Sequence, residues 1–209
     1  MVIDDGTKRV YKKKKIYPEG KYLGFVNAQT QQRDGKGVMI FNDGSRYDGY
    51  WKEDNMDGKG RIIRTDGEYY EGDWVNGKVE GKGTCVRKDQ SVYEGEWKGN
   101  LKHGYGIEKW GTTTRYEGEY KFGKKTGKGT FSWEDGSDYN GEFKNNVIQG
   151  KGVYRWADGR VYDGDWMDNA MHGNGVFTFP DGKKYIGQYV NDKREGFGIL
   201  EWYFFLSIE

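Results

Sequence analysis

The side chains that could carry out chemistry are few in this chain of 209 residues. Its two histidines are His103 and His172, and its one cysteine is Cys85. A single cysteine excludes an internal disulfide framework and a metal site built from several thiolates. Because a nucleophilic cysteine also needs a nearby base, we interpret Cys85 as a small buried filler and both histidines as loop residues.

Carboxylates paired at i and i+2 are the other candidates for acid–base chemistry. They occur as Glu71/Asp73, Glu94/Glu96, Glu117/Glu119 and Asp163/Asp165. A single active site would not recur in this way, so we interpret the pairs as a solvated strand face, with an acidic docking stripe as the alternative. The G-x-G sequences lack a following x-x-G and a helix pattern, which excludes dinucleotide and P-loop sites.

All of these residues belong to an internal repeat of 23 residues. Tyrosine, taken as position one, is followed by glycine at positions three, twelve and fourteen. Position five is aromatic in seven units and is Val26 in the first, which also carries a two-residue insertion. An Asp-Gly pair ends most units. The units begin at Tyr22, Tyr47, Tyr70, Tyr93, Tyr116, Tyr139, Tyr162 and Tyr185.

Each unit has the pattern of a β-hairpin. Y-x-G-x-W and G-x-G-x-φ-x-φ (φ aromatic or apolar) both alternate with the period of a strand, with glycines and rings on one face. We expect a polar loop near positions six to eleven, an Asp-Gly turn between hairpins, and rings covering glycines such as Gly127 and Gly129. The predicted fold is all-β, an elongated single-sheet antiparallel meander of about eight 23-residue hairpins.

Two segments carry the pattern most clearly, YEGEYKFGKKTGKGTFSWEDGSD at 116–138 and YEGDWVNGKVEGKGTCVRKDQSV at 70–92. They resemble the MORN (membrane occupation and recognition nexus) repeat. The resemblance covers 22–202 and implies a meander that serves as a scaffold in cytoskeletal or ciliary assemblies, or as a phosphoinositide-linked membrane module. It leaves no residues for an attached catalytic domain, so we expect no enzyme activity.

The two ends depart from the repeat. Residues 1–21 are basic, with a run at Lys12, Lys13, Lys14 and Lys15. This segment is interpreted as a solvated tail or cap strand, or as a contact for anionic lipid or an acidic protein tail. Residues 203–209 are largely apolar and are interpreted as a cap, a partner or self-association surface, or a truncated end.

Charge balance limits the partners. The net charge is +1, less basic than is typical of a nucleic-acid-binding domain. The N-terminus does not resemble a signal peptide and no apolar run reaches 18 residues, so we expect a cytoplasmic protein, at the cytoskeleton or cilium or peripherally on a membrane. We expect no cofactor and no metal site.

The leading functional hypothesis is a non-catalytic scaffold that binds a protein along an aromatic groove. The residues predicted to line it are Trp97, Trp110, Trp133, Phe143 and Trp156. The alternative role for these rings is to cover glycines within the array. The alternative function is a membrane module in which Lys12–Lys15 contact anionic phospholipids.

Overall fold

Alternating tyrosine, glycine and aromatic residues form the first strand of each hairpin, and the second G-x-G half forms the other. The computed structural model describes residues 6–202, and this range contains strands and no helix. The strands are β1 Arg9–Tyr17, β2 Gly20–Asn27, β3 Arg33–Phe41, β4 Arg46–Lys52, β5 Asn55–Ile63, β6 Tyr69–Val75, β7 Lys78–Val86, β8 Val92–Lys98, β9 Leu101–Trp110, β10 Thr114–Lys121, β11 Lys124–Ser132, β12 Asp138–Lys144, β13 Val147–Arg155, β14 Val161–Met167, β15 Ala170–Thr178, β16 Lys184–Val190 and β17 Lys193–Glu201.

The chain divides into two compact units between His103 and Gly104, within β9. In the first unit, β1 to β8 pair in sequence order, each antiparallel to the next. In the second unit, the remainder of β9 and β10 to β17 do the same. The predicted all-β meander of hairpin repeats is therefore confirmed in each unit.

Glycines face glycines across seven hairpins of the two units, as β10 and β11 illustrate. Tyr116 pairs with Phe131 and Gly118 with Gly129, after which the register shifts and Glu119 pairs with Thr126. The shift leaves Gly127 in a β-bulge with φ of +57°, in the left-handed region that favours glycine. Position fourteen is thus a regular strand residue, whereas position twelve is a bulge residue.

The tyrosine at position one covers the glycine pair of its own hairpin. A Cβ at Gly129 would lie 2.5 Å from the Tyr116 phenol oxygen, and a Cβ at Gly118 would lie 2.6 Å from it. The prediction that rings cover glycines is confirmed for these positions. It is wrong for Gly127, where the Glu119 carboxylate, 2.5 Å from a Cβ, is the neighbour, because the bulge turns this residue away from the ring.

The rings at positions one and five form an aromatic spine, which is the core of each unit. Tyr47 makes edge-on contacts with Trp51 of its own strand at 5.0 Å and with Trp74 of the next repeat at 5.4 Å between centroids. Tyr116 contacts Tyr120 and Phe143 in the same way, both at 5.2 Å. Tyr47 and Tyr116 thereby connect neighbouring repeats, and such edge-on ring contacts contribute stability beyond that of the buried apolar area.

The basic N-terminal segment forms β1, which pairs with β2. Its Tyr17 packs edge-on against Tyr22 at 6.0 Å, which extends the spine beyond the first repeat, where Val26 replaces the usual ring. The guanidinium of Arg33 lies over Tyr17 at 4.6 Å and over Trp51 at 4.4 Å. Arg33 also forms ion pairs with Glu19 and Asp54.

The loop within each hairpin is shorter than predicted. It consists of two residues at positions seven and eight, such as Asn145 and Asn146 with φ of +54° and +72°, as expected of a type I′ turn. The prediction of a loop at positions six to eleven is wrong because Asn, Asp and Gly adopt the left-handed conformation readily. Both strands therefore extend almost to the turn.

The turn of one repeat is joined to the preceding repeat. Asn146 Oδ1 accepts a hydrogen bond from the Lys125 N–H at 2.8 Å, and the Asn146 N–H donates to the Lys125 carbonyl at 3.0 Å. Asn169 makes the same pair of bonds to Ile148, at 2.9 and 3.1 Å. The asparagine at position eight thus continues the hydrogen-bond ladder between hairpins.

Candidate functional site

The five residues predicted to line a groove divide into two sets. Phe143, only 6% exposed, lies in the spine between Tyr116 and Tyr139. Trp97 lies in the first unit, between Tyr70 and Tyr93, and its Nε1–H donates to the Gly83 carbonyl at 3.0 Å. Packing and hydrogen bonding therefore use these two rings within the array.

Trp110, Trp133 and Trp156 occupy position eighteen of successive repeats and lie together in the second unit. They alternate with rings at position sixteen, and neighbouring centroids are 4.5–5.8 Å apart. We call this set the aromatic row. It consists of Trp110, Phe131, Trp133, Tyr154, Trp156, Phe177 and Phe179.

The second strand of each hairpin and the Asp-Gly turn after it position the row. At Trp133 the chain leaves β11; its N–H donates to the Ser137 carbonyl at 2.9 Å and its carbonyl accepts from Gly136 at 3.2 Å. Asp135 Oδ1 accepts from the Ser137 hydroxyl at 2.6 Å and from its N–H at 2.9 Å. These two bonds lower the pKa of the Asp135 carboxyl, so the turn is held by an ionised side chain.

The row lies on the same face as the spine but is less covered. All of its rings are partly exposed except Phe177, which is 8% exposed. The spine residue Trp166 donates its indole N–H to the Gly152 carbonyl at 3.0 Å. Within 6–202, the indole N–H groups of Trp110, Trp133 and Trp156 have no such partner, and they are not sealed from solvent. The row therefore offers both ring faces and hydrogen-bond donors.

Cationic side chains lie over four rings of the row, and the Lys125 ammonium is 5.5 Å from the Phe131 centroid. The Lys125 ammonium is 5.0 Å from the Trp110 centroid, the Arg160 guanidinium 5.2 Å from Trp156, and the Arg194 guanidinium 5.4 Å from Phe179. Burial lowers the pKa of Lys125, and the charge of Glu108 opposes this shift. The cations of Lys125 and Arg194 therefore accompany the two ends of the row, and Arg160 is ion-paired with Asp158.

The sequence contained a signal for the additional members of the row. The first φ of the pattern G-x-G-x-φ-x-φ is Phe131, Tyr154 and Phe177 in three successive repeats. In the first unit these positions hold Ile62 and Cys85. Cys85 is partly buried and packs against the core of the first unit. A continuous row is therefore a property of the second unit.

The paired acids are only partly a solvated face. At position four, Glu119 accepts from the bulged Lys128 N–H at 3.1 Å and Asp165 accepts from the Asn174 N–H at 2.9 Å. The pKa of the Asp165 carboxyl is lowered, mainly by its hydrogen bond from the Lys151 ammonium and next by the bond from the Asn174 N–H. These carboxylates accept hydrogen bonds from the β-bulges. This role could not be predicted because the alternation of a single strand does not reveal a bulge.

The basic run lies on β1, where Lys13 and Lys14 are exposed. Lys15 Nζ donates to the Gln31 carbonyl at 2.6 Å. Tyr11 and Ile16 on the same strand are 54% and 63% exposed. This strand therefore presents charged and apolar groups side by side. The predicted C-terminal cap at 203–209 lies outside the described residues.

The interpretation of the histidines as loop residues is wrong, because short hairpin turns leave both in strands: His103 lies in β9, at the end of the first unit, and His172 lies in β15 of the second. Across residues 6–202, no three His, Cys, Asp or Glu side chains are grouped so as to hold a metal ion. In the same range no helix has the length and apolar character needed to cross a bilayer.

A family model for the MORN repeat matches eight consecutive segments of the chain, 32–46, 47–69, 70–92, 93–115, 116–138, 139–159, 162–184 and 185–203. The chain belongs to the MORN repeat family. From Tyr47 onward, every MORN match begins at the tyrosine taken as position one. The first match begins at 32, within the first repeat, whose insertion departs from the pattern.

Two solved structures resemble this MORN protein in part. One is the SAS-4 (dCPAP) TCP domain of Drosophila melanogaster, in complex with a proline-rich motif of Ana2 (dSTIL), with a TM-score of 0.46, 11% identity and coverage of 90% of this chain and 94% of that one. The other is the TCP10 domain of Danio rerio CPAP with a STIL peptide, with a TM-score of 0.38, 13% identity and coverage of 87% and 94%. No curated protein matches the chain.

Proposed function

We propose that this MORN repeat protein is a non-catalytic scaffold that binds a protein partner through the aromatic row of its second unit. The observation that carries the proposal is the contrast between Trp166 and Trp133. Trp166 is buried and its indole N–H is used within the array, whereas Trp133 keeps a partly exposed ring and an N–H available to a ligand. Tryptophan is one of the residue types enriched among binding hot spots.

The cytoplasmic setting and a cytoskeletal or ciliary partner are part of this proposal. They rest on the resemblance of the repeats to those of scaffold proteins in such assemblies. The row supports a peptide-like partner, because seven aligned rings form a long, narrow surface. Such a surface suits an extended segment better than a globular domain.

A peptide-display selection on the full chain tests this function. Binders that require the row should lose at least tenfold in affinity with Trp133→Ala, and the same loss is expected with Trp156→Ala. Tyr105→Ala is the matched control, because Tyr105 is 51% exposed and pairs with Glu119 on the opposite face. Selected peptides that bind both tryptophan variants as tightly as the wild type would contradict the proposal.

Membrane contact through β1 is the second candidate function. Exposed Tyr11 and Ile16 adjoin exposed lysines, and such a strand would place rings and aliphatic groups at the headgroup level. Vesicles of phosphatidylcholine with phosphatidylserine or phosphatidylinositol 4,5-bisphosphate should co-sediment the chain at low salt. Replacement of Lys12–Lys15 by glutamine should abolish this co-sedimentation. Co-sedimentation with uncharged vesicles but not with anionic ones would exclude membrane contact through these lysines.

Self-association through an array end is a further proposal on the partner side. β17 carries Phe197, which is 95% exposed, and Ile199, which is 64% exposed. Sedimentation of the full chain over a hundredfold concentration range should reveal a dimer that Phe197→Asp dissociates. A monomer at every concentration would exclude it.

A further inference from the structure

We infer that the occupant of the aromatic row is a proline-rich segment in the polyproline II conformation, lying across the strands with a proline at every third residue. This inference rests on the proposed function and specifies the partner's chemistry. It is carried by the spacing of the row, its donors and its charge.

The spacing of the row matches the polyproline II period. Trp110, Trp133 and Trp156 recur once per hairpin, so adjacent rings of this set are two strand spacings apart, about 9.6 Å. A polyproline II helix advances about 9.3 Å in its three-residue turn. Every third residue of such a segment therefore meets an equivalent ring, and the mismatch stays near 1 Å over three repeats.

Other peptide conformations match the row less well. An extended strand presents the same face every two residues, about 6.8 Å, so its side chains fall out of step with the rings after one repeat. An α-helix returns to the same face after seven residues, about 10.5 Å, and accumulates nearly 3 Å of error over three repeats. The strands beneath the row already pair on both sides, so the ligand cannot add as a strand there.

The donors and charges of the row complement such a segment. Polyproline II has no internal hydrogen bonds, and its carbonyls are open to donors. The indole N–H groups of Trp110, Trp133 and Trp156 provide donors at the same interval as the rings. Lys125 and Arg194 over the rings favour acidic residues between the prolines over basic ones, whereas Arg160 is already ion-paired with Asp158.

Three synthetic peptides of equal length test the inference on the full chain. The first has proline at every third position with glutamate between, the second has the same composition with its prolines alternately two and four residues apart, and the third replaces glutamate by lysine. We expect the first to bind at least tenfold more tightly than the others, measured by calorimetry. Equal binding of the first two, or failure of the first to bind, would overturn the inference.

Three variants locate the binding on the row. Trp133→Phe keeps a ring and removes the N–H, and should weaken the first peptide threefold or more without unfolding the chain; Tyr105→Ala should leave its affinity within twofold. The β-structure of each variant is checked by circular dichroism. If Trp133→Phe and Trp133→Ala both bind the first peptide as tightly as the wild type, the peptide binds outside the row. If display yields row-dependent binders without proline, the scaffold function stands and the polyproline inference fails.

Discussion

The phenol ring of Tyr116 occupies the space that a side chain at Gly129 would need. A Cβ there would lie 2.5 Å from the phenol oxygen, and the hydroxyl is further held by its bond to the Glu119 carbonyl at 3.1 Å. The ring cannot move aside without losing its spine contacts with Tyr120 and Phe143. Ring and glycine are thus one structural element, which recurs in the hairpins that begin at Tyr22, Tyr47, Tyr70, Tyr139, Tyr162 and Tyr185.

Gly129→Val should destabilise the second unit by about 1–3 kcal/mol through overpacking. Urea unfolding followed by tryptophan fluorescence measures this loss. Glu134→Ala, at an exposed turn residue, should stay within about 0.5 kcal/mol of the wild type. Equal effects of the two changes would mean that Tyr116 does not cover Gly129.

Gly127 should respond differently because its constraint is conformational. Its φ of +57° is accessible to asparagine and costly for β-branched residues. The neighbouring group is the flexible end of Glu119, which is able to shift. Gly127→Asn should therefore be milder than Gly127→Val by at least about 1 kcal/mol in the same unfolding assay. A reversed order would argue against the bulge.

Asn146 tests the bond between repeats. Asn146→Gly keeps the φ of +72° accessible but removes the Oδ1 that accepts from Lys125, and should cost about 0.5–1.5 kcal/mol. Asn146→Ala should cost about 1–2 kcal/mol more, because alanine disfavours this conformation. Hydrogen exchange at the Lys125 amide should be faster in both variants. Unchanged exchange would show that the side chain does not protect it.

Alkaline pH should unfold the array through its spine tyrosines. Burial raises the pKa of Tyr139 far above its ordinary value, and it does the same for Tyr116 and Tyr162. Below about pH 10 both the folded and unfolded phenols are neutral, and the stability is fully present. Above it the unfolded chain ionises first, so stability falls by about 1.4 kcal/mol per pH unit for each buried tyrosine.

Urea unfolding between pH 8 and 12 measures this dependence. Above pH 10, Tyr139→Phe should reduce the number of protons released on unfolding, which sets the slope of the unfolding free energy against pH, by about one. Phe143→Leu is the control, since it should lower the free energy of unfolding at every pH and leave the slope unchanged. A slope unaffected by Tyr139→Phe would show that this phenol ionises equally in both states.

The hairpins, their faces and the limits of each repeat could be predicted because period and alternation are properties of the chain itself. Whether a ring belongs to the core or to a surface could not. Trp97 and Trp133 are the same residue type, and each continues an alternating sequence pattern. Trp97 is covered by tyrosines of two successive repeats, whereas Trp133 stands at a strand end beside a turn. That difference depends on how neighbouring strands align.

The bulges escaped prediction for a related reason. In the sequence, the two glycines of a G-x-G pair look equivalent. Gly127 and Gly129 are distinguished only by the pairing of Gly118 with Gly129 and of Glu119 with Thr126. The positions of the capping carboxylates Glu119 and Asp165 follow from this register. Single-strand alternation contains no information about it, since a bulge appears only when two strands are placed together.

The bond between Asn146 and Lys125 also bears on how such a chain changes length in evolution. In-frame loss of 139–161 would bring Asn169 into the place of Asn146, opposite Lys125, with Tyr162 following the turn that Tyr139 had followed. No donor would be orphaned and no register altered. Duplication of a 23-residue repeat would lengthen the second unit by one hairpin. The length of the polyproline segment that the row binds would then change by one three-residue turn for each repeat gained or lost.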